Sequence, residues 1–419
     1  MIRATCGVCL AVIRDYLGEN NVAKRVLILM SDTGGGHRAV SHAVRDALYA
    51  RYGDQVEVEV VDGLKQYAPA PIKYAPEIYP VWIAHSKRSW GIAHNLTDTR
   101  TTARTLSRAG YITIGRYFKQ MLRDHPADVI LCAHALLVSP SMDALNSFGE
   151  RPPFLTVVTD YASTHVFWYD QRADRVLVPT KLALDRGLYN GVPADKLRIT
   201  GLPVNPSFAE RLMDSRTARQ QLGWLPDKIT VLMVGGGEGM GPLFRMAREI
   251  NAHNLDIQLV VVAGKNQSLK ARLEAATWNQ PTWIYPFTRD MPQMMSAADL
   301  IVTKAGAASV TEALTAGLPI IISDVIPGQE TGNMEYIIES RAGVYPGTPE
   351  AVGHTVAAWV REGREALAVR AARSQAIAQP DAAFAVAEEV WEWANRGRIP
   401  IYRRTLRERV EEIRSQLIP

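Results

Sequence analysis

Long apolar runs are absent from this chain of 419 residues. No stretch reaches the roughly 18 residues that a membrane-spanning helix needs, so no such helix is expected. Cysteine is scarce. Cys6, Cys9 and Cys132 are too few for a disulfide framework, and the lone CxxC has no second pair to complete a zinc site. Ordinary thiols in a reducing cytoplasm are the expectation. No glycine turn is followed by GK[ST], which excludes a Walker-type P-loop. None fits GxGxxG convincingly, although Asp62 at the end of "VEVEVV" leaves a dinucleotide site open on spacing alone. There is no DxD pair. No heptad is sustained, so the charged stretch 403–418 reads as a helix and not as a coiled coil.

Hydrophobic content of 47% and charged content of 21% are those of a globular protein. The length exceeds what one core usually fills, which favours two domains. Residues 1–24 carry one arginine before a short apolar run that Arg14 and Asp15 interrupt, with no small-residue cleavage site. They read as an extension or short amphipathic helix, not as a leader. Beyond them, apolar runs alternate with helical patterns. "RVLILM" (25–30), "VEVEVV" (56–61), "DVILCA" (128–133), "FLTVVT" (154–159) and "DRVLVP" (174–179) read as strands. "ITVLMVGG" (229–236), "IQLVVVAG" (257–264), "WIYPF" (283–287), "DLIVTKAG" (299–306) and "LPIIISD" (318–324) repeat the scheme. Continuous β-branched runs suit parallel sheets covered on both faces. Two Rossmann-like α/β domains follow, 25–206 and 207–380, joined near "ITGLPVNPSF", with C-terminal helices over 381–419.

Each half opens with a strand and a glycine turn: Gly34-Gly35-Gly36-His37 in the first, and Gly235 to Pro242, with Gly236 and Gly237, in the second. Such turns bare backbone N–H groups at the positive end of a helix dipole, a way to hold phosphate without a metal. A third turn, Gly306-Ala307-Ala308, follows Lys304 and enters a helix bearing Glu312. "PGQETGN" then presents Gln329, Glu330 and Asn333 beyond the next strand. Carboxylates beside a glycine turn suit ribose hydroxyls, since each accepts two hydrogen bonds. Taken singly, Glu312 is equally a solvated helix acid and Glu330 a helix cap.

Net charge is only +4, but 72–123 holds nine basic residues against two acids, interleaved with Trp82, Trp90 and other aromatics. An anionic membrane surface touched through Trp82, Lys87, Arg88 and Trp90 is one reading, nucleic acid another, and a solvated helix face over core aromatics the plain alternative.

Together "SDTGGGHRAV", "VVTDYASTH", "GLPVNPSF", "GGGEGMGP" and "TKAGAASVTEALTAGLPIIISDVIPGQETGN" resemble the monogalactosyldiacylglycerol synthases and bacterial diacylglycerol glucosyltransferases of glycosyltransferase family 28, from about Arg25 to Val344. The resemblance implies a GT-B architecture, two Rossmann-like domains facing a cleft, with the last helix crossing back onto the first domain. It implies a peripheral membrane hexosyltransferase that moves galactose or glucose from UDP-galactose or UDP-glucose to 1,2-diacylglycerol. The expected place is the cytoplasmic face of the cell membrane. Gly35, Gly36 and His37 would face the acceptor, while His165, beside Phe167, Trp168 and Tyr169, is a further candidate base or a lipid or sugar contact. Glu312 would hold ribose, Gln329 and Glu330 the donor, and Phe287 or Thr288 the uracil. His37 is the expected base, with Asp32 and Asp160 as alternatives, each following a strand. No cofactor, no metal and no nucleic acid are expected. A polyprenyl-linked acceptor taking N-acetylglucosamine, and a nucleotide-sugar or lipid binder without turnover, are the rival readings.

Overall fold

A computed structural model describes residues 22–33 and 35–401. The expected helix over 403–418, Cys6, Cys9 and Gly34 lie outside the described residues. The first six-stranded sheet comprises β1 (Lys24–Met30), β2 (Val56–Asp62), β3 (Val129–Cys132), β4 (Phe154–Val157), β5 (Arg175–Val178) and β6 (Leu197–Ile199), in the order β2-β1-β3-β4-β5-β6. The second comprises β7 (Ile229–Val234), β8 (Ile257–Val262), β9 (Thr282–Tyr285), β10 (Leu300–Thr303), β11 (Ile320–Ile322) and β12 (Gly343–Val344), in the order β9-β8-β7-β10-β11-β12. All pairings within both sheets are parallel. The expected class, two Rossmann-like α/β domains, is the observed one. In the second sheet the order reverses at β7 and β10, where such sheets bind ligands beyond their strand ends.

Both faces of each sheet are covered, which is why β3, β4 and β8 are buried along their whole length. One face of the first sheet takes α1 (Gly35–Tyr52), through Val40, Ala43, Val44, Ala47 and Leu48. Its other face takes the long α4 (Arg100–Asp124), whose Phe118 and Met121 are fully buried. Between them in the chain run α2 (Ala75–His85) and α3 (Lys87–Thr97), joined only by Ser86. In the second domain α5 (Leu243–Ala252), α6 (Ala307–Thr315), α7 (Thr331–Glu339) and the kinked α8 (Pro349–Ile377) flank the sheet.

The chain then returns. α9 (Ala382–Asn395) packs Ala383, Val386, Ala387 and Val390 against Val26, Ile28 and Leu131 of the first sheet. Small residues let the helix lie close to the strands. Charge fixes it as well: buried Glu389 receives Arg175 Nε and Arg198 Nε, each at 2.9 Å. Removing one partner of a buried pair strands the other charge. Glu389→Ala should therefore lower the free energy of the first unfolding transition by about 3 kcal/mol. Glu388→Ala, which breaks a half-exposed pair with Arg51, should cost less than about 1 kcal/mol. Denaturant unfolding of the two variants side by side checks the contrast.

Candidate active site

The strand ends of the first sheet form one wall of the cleft. His37, in the first turn of α1, places Nδ1 2.9 Å from the carbonyl oxygen of Ala133, just past β3. Only an N–H can meet a carbonyl in this way, so the proton sits on Nδ1 and Nε2 keeps its lone pair. Thr159 Oγ1 lies 3.1 Å from the same Nδ1. Burial lowers the ring's pKa to about 4, against the opposing effect of the Ala133 bond. The ring centroid stands 4.4 Å from that of His134. His134 Nδ1 accepts from the Leu136 amide at 3.3 Å, so its Nε2 donates to Thr33 Oγ1 at 2.7 Å. Burial holds His134 well below its usual range, so two neutral imidazoles stand together. His134, Thr33 and Thr159 were not singled out in the sequence; their signal is position, each within a few residues of a strand's C-terminal end.

Asp32 is not free as a base, because its carboxylate is paired with Arg38. Asp62 receives the amides of Asp32 at 3.1 Å and Lys65 at 2.9 Å, which removes it as a dinucleotide-ribose ligand. Asp160 reaches toward the other domain. Burial raises its pKa to about 7; the Asn333 amide and Lys304 pull down, and the charge of Glu330 pushes up.

The second domain forms the opposite wall. Gly306 caps α6, and among the described residues no side chain bonds to the helix's first amides, leaving the N-terminus at Ala307 and Ala308 open. Lys304 lies beside it: a Cβ on Gly306 would come within 2.6 Å of Lys304 Nζ, and one on Gly236, at φ +70°, within 3.2 Å of Cε. One turn into α6, the half-buried Glu312 carboxyl has no hydrogen-bond partner among the described residues, and burial raises its pKa to about 7. Phe287 is 53% exposed, and its ring faces Gly237. Thr288 Oγ1 accepts from the Asp290 amide at 3.1 Å.

Three donor-side expectations change. Glu330 is buried, pairs with Lys304 and accepts from the Ile326 amide at 3.1 Å, so it anchors the lysine and is not an open ribose acceptor. Asn333 is fully buried between the domains: its amide nitrogen donates to Asp160 Oδ1 (3.3 Å) and the Ala305 carbonyl (3.1 Å), and its oxygen accepts from the Tyr161 amide (2.8 Å). It is an interdomain tie and not a donor ligand. Gln329 Oε1 is taken by Tyr79, whose hydroxyl crosses from α2 at 2.8 Å.

The acceptor-side expectations divide as well. Lys87 is paired with Asp324 of the second domain, so it is no free surface cation. Trp90 is half-buried and packs edge-on against Tyr79 at 4.9 Å and Trp82 at 5.3 Å. The α2–α3 hairpin lies so close to the Pro327–Gly328 turn that a Cβ on Gly91 would meet Pro327 at 2.8 Å. His165 turns inward, bonded to Thr97 Oγ1 at 3.1 Å and packed on His94 and Phe167. What the hairpin leaves outward is Ile78, Val81, Trp82, Ile92 and Leu96, all exposed, with Arg88. Gly35 and Gly36 have open space where a side chain would stand.

Two sheets facing one cleft define the GT-B class. Among solved structures, MurG of Acinetobacter baumannii matches with a TM-score of 0.57 at 17% identity, over 88% of this chain and 99% of that one. Anabaena Alr3699/HepE in complex with UDP and glucose matches at 0.51 and 15%, over 89% and 99%. At such identities these comparisons carry the fold alone. Residues 37–204 match the family described as monogalactosyldiacylglycerol (MGDG) synthase, and 230–339 the glycosyltransferase family 28 C-terminal domain. The probable monogalactosyldiacylglycerol synthase 2, chloroplastic, of Oryza sativa subsp. japonica is 36% identical over 378 residues, covering 88% of this chain and 80% of the relative. Monogalactosyldiacylglycerol synthase 2, chloroplastic, of Arabidopsis thaliana is 33% identical over 376 residues, with the same coverage. The chain belongs to the monogalactosyldiacylglycerol synthase family of glycosyltransferases. These relatives are named chloroplastic, which contradicts the expected cytoplasmic face of the cell membrane.

Glu312 yields a test of the unligated cleft. A carboxyl that holds its proton more tightly when folded adds stability at low pH. It loses that contribution as pH rises from about 4.5, its ordinary value, through about 7. Glu312→Gln should therefore melt above wild type at pH 8 and level with it at pH 4, without nucleotide. Calorimetric melting temperatures at both pH values check this.

Proposed function

We propose that this protein transfers galactose from UDP-galactose to the free hydroxyl of 1,2-diacylglycerol, giving a β-galactosyl diacylglycerol. Galactose is preferred over glucose because the relatives just named are monogalactosyldiacylglycerol synthases. The same relatives weigh against a polyprenyl-linked acceptor. The observation that carries the reading is a pair of groups, one in each domain: a neutral His37 beside the strand ends of the first sheet, its one remaining lone pair on Nε2, and Lys304 at the uncapped start of α6 in the second.

In this reading Glu312 receives the ribose hydroxyls, Phe287 or Thr288 lies at the uracil, and the Gly236–Gly237 loop, Lys304 and the amides at Ala307 and Ala308 hold the diphosphate. The acceptor oxygen attacks the sugar's C1 as its proton passes to His37 Nε2. The C1–O bond to the diphosphate breaks, and its electron pair leaves with UDP. One displacement inverts an α-linked donor to a β-glycoside. The charge growing on UDP falls to Lys304 and the α6 amides, so turnover in the presence of a chelator is expected.

The deciding experiment is incubation with diacylglycerol and each radiolabelled UDP-hexose in turn, followed by thin-layer separation. Label in a monogalactosyl lipid is the expected result, and label in no lipid overturns the proposal.

His37→Ala should bind UDP normally and lose about 10²- to 10⁴-fold in kcat. Because burial keeps His37 neutral down to about pH 4, His37 should add no limb to kcat/KM between about pH 8 and 5.5, and a limb near pH 7 that Glu312→Gln abolishes belongs to donor binding. A limb near pH 7 that Asp160→Asn abolishes would transfer the base's role to Asp160.

We also place the lipid surface on the outward face of the hairpin. Trp82, Ile78 and Ile92 would sit at headgroup depth, with Arg88 adding about 1 kcal/mol near an anionic surface. In flotation with phosphatidylglycerol vesicles, Trp82→Ser with Ile92→Ser should lose the salt-resistant share of binding, and Arg88→Gln the salt-sensitive share. Protein that stays at the bottom of the gradient but shifts DNA would overturn this in favour of nucleic acid.

A further inference from the structure

Tyr79 belongs to the acceptor half but ends in the donor half's loop. It stands on α2, and its hydroxyl donates to Gln329 Oε1 at 2.8 Å across 250 positions of sequence. Trp90, edge-on at 4.9 Å, keeps the ring from swinging away, and Trp82 backs Trp90 in turn. Burial and the charges of Glu330 and Asp160 push the phenol's pKa up, so the hydroxyl stays protonated.

A carboxamide has an accepting end and a donating end. With Oε1 held by Tyr79, Nε2 is the end of Gln329 left over, and it has no partner among the described residues. Gln329 immediately precedes Glu330, whose carboxylate grips Lys304 at the start of α6. Its side chain thus runs from the loop that holds that lysine to the acceptor half. A sugar that joins the two substrates has to lie there, because its C1 is where they meet.

We propose that Tyr79 is a positioning residue for hexose selection: it fixes the polarity of the Gln329 carboxamide so that two N–H donors face the transferred sugar. The acceptor half thereby takes part in choosing the donor. This inference rests on the donor placement proposed above. Galactose and glucose differ in the direction of one hydroxyl. A donor of fixed polarity separates them, because the wrong sugar leaves a buried polar group unpaired, while an amide free to flip accommodates either.

The experiment uses the whole protein. Tyr79→Phe keeps the ring against Trp90 and removes only the hydroxyl. kcat/KM is measured for UDP-galactose and UDP-glucose with diacylglycerol in mixed micelles, and UDP affinity by calorimetry. The ratio of the two kcat/KM values should fall about three- to tenfold, while the Kd of UDP stays within about twofold. Gln329→Ala should lower the same ratio, and adding Tyr79→Phe to it should change nothing more. An unmoved ratio in Tyr79→Phe overturns the inference, as does an equal loss for both donors accompanied by weaker UDP binding. Should Tyr79→Phe lose its cooperative melting, Gln329→Ala reads the bond from its other end, and an unmoved ratio there overturns the inference equally. A wild-type protein that transfers neither hexose contradicts the donor placement itself; one that transfers, with unmoved ratios in the variants, contradicts this inference alone.

Discussion

The carboxamide of Asn333 holds the two domains in register. It is fully buried, it sits on α7, and its three hydrogen bonds divide between Ala305 of its own domain and Asp160 and Tyr161 of the other. Leaving any of these groups unsatisfied in the interior costs about 1–3 kcal/mol, so the domains cannot slide past one another without a penalty. Other contacts follow from that register. Tyr161 stacks on Tyr336 at 4.9 Å and reaches Thr311 with its hydroxyl at 2.7 Å. Ser163 donates to the Gly328 carbonyl and accepts from the Gly332 amide. The loop between β11 and α7 is thereby fixed at both ends, and Glu330, one turn before Asn333, is fixed with it.

Electrostatics in the cleft follow from which acids find a cation. Glu330 is the more deeply buried, yet it has Lys304 and the Ile326 amide as partners. Among the described residues Asp160 has an amide and the charge of Lys304 to set against burial, and Glu312 has no hydrogen-bond partner; burial raises both to about 7. His37 and His134 are lowered by the same cause. Burial thus drives acids and imidazoles alike toward their neutral forms. A cleft with its carboxyls partly protonated repels an incoming diphosphate less than one with three carboxylates ionised. Under the proposed function Lys304, already fixed by Glu330, needs little reorganisation to meet that ligand.

Much of the frame was legible. The long β-branched runs became strands because buried parallel strands require them, whereas β6 and β12 were missed: "LRI" exposes Arg198 and Ile199, and "GV" is too short to show any pattern. Of the candidate site, the strand ends and glycine turns were legible, and Asp160 and Lys304 lie at such ends; Glu312, inside α6, took a definite role only through the family resemblance. The states of these groups were not legible. Whether an acid is free depends on partners far along the chain, and Asn333 meets Asp160 across 173 positions while Gln329 meets Tyr79 across 250. The basic and aromatic stretch misled for a related reason. Read as a string it is one surface. Folded as two helices joined by a single residue, it sends Lys87 and Trp90 inward and Ile78, Trp82, Ile92 and Leu96 outward.

That division gives the hairpin two unlike tasks. Its inner face makes specific polar contacts, an ion pair to Asp324 and a hydrogen bond to Gln329, with glycine at the two points of closest approach. A larger residue at Gly91 would displace Pro327, and one at Gly328, which has φ +80°, would strike His94. The contact therefore tolerates little lateral movement. The outer face leaves apolar side chains in water, a cost that a soluble surface usually avoids. Under the proposed function these two facts have one explanation. Diacylglycerol stays in its bilayer while the UDP-sugar arrives from water, so the lipid-facing element has to lie within one helix diameter of the donor loop. A hairpin one layer thick, apolar outside and hydrogen-bonded inside, satisfies that distance and keeps the donor loop from drifting when its outer face is gripped.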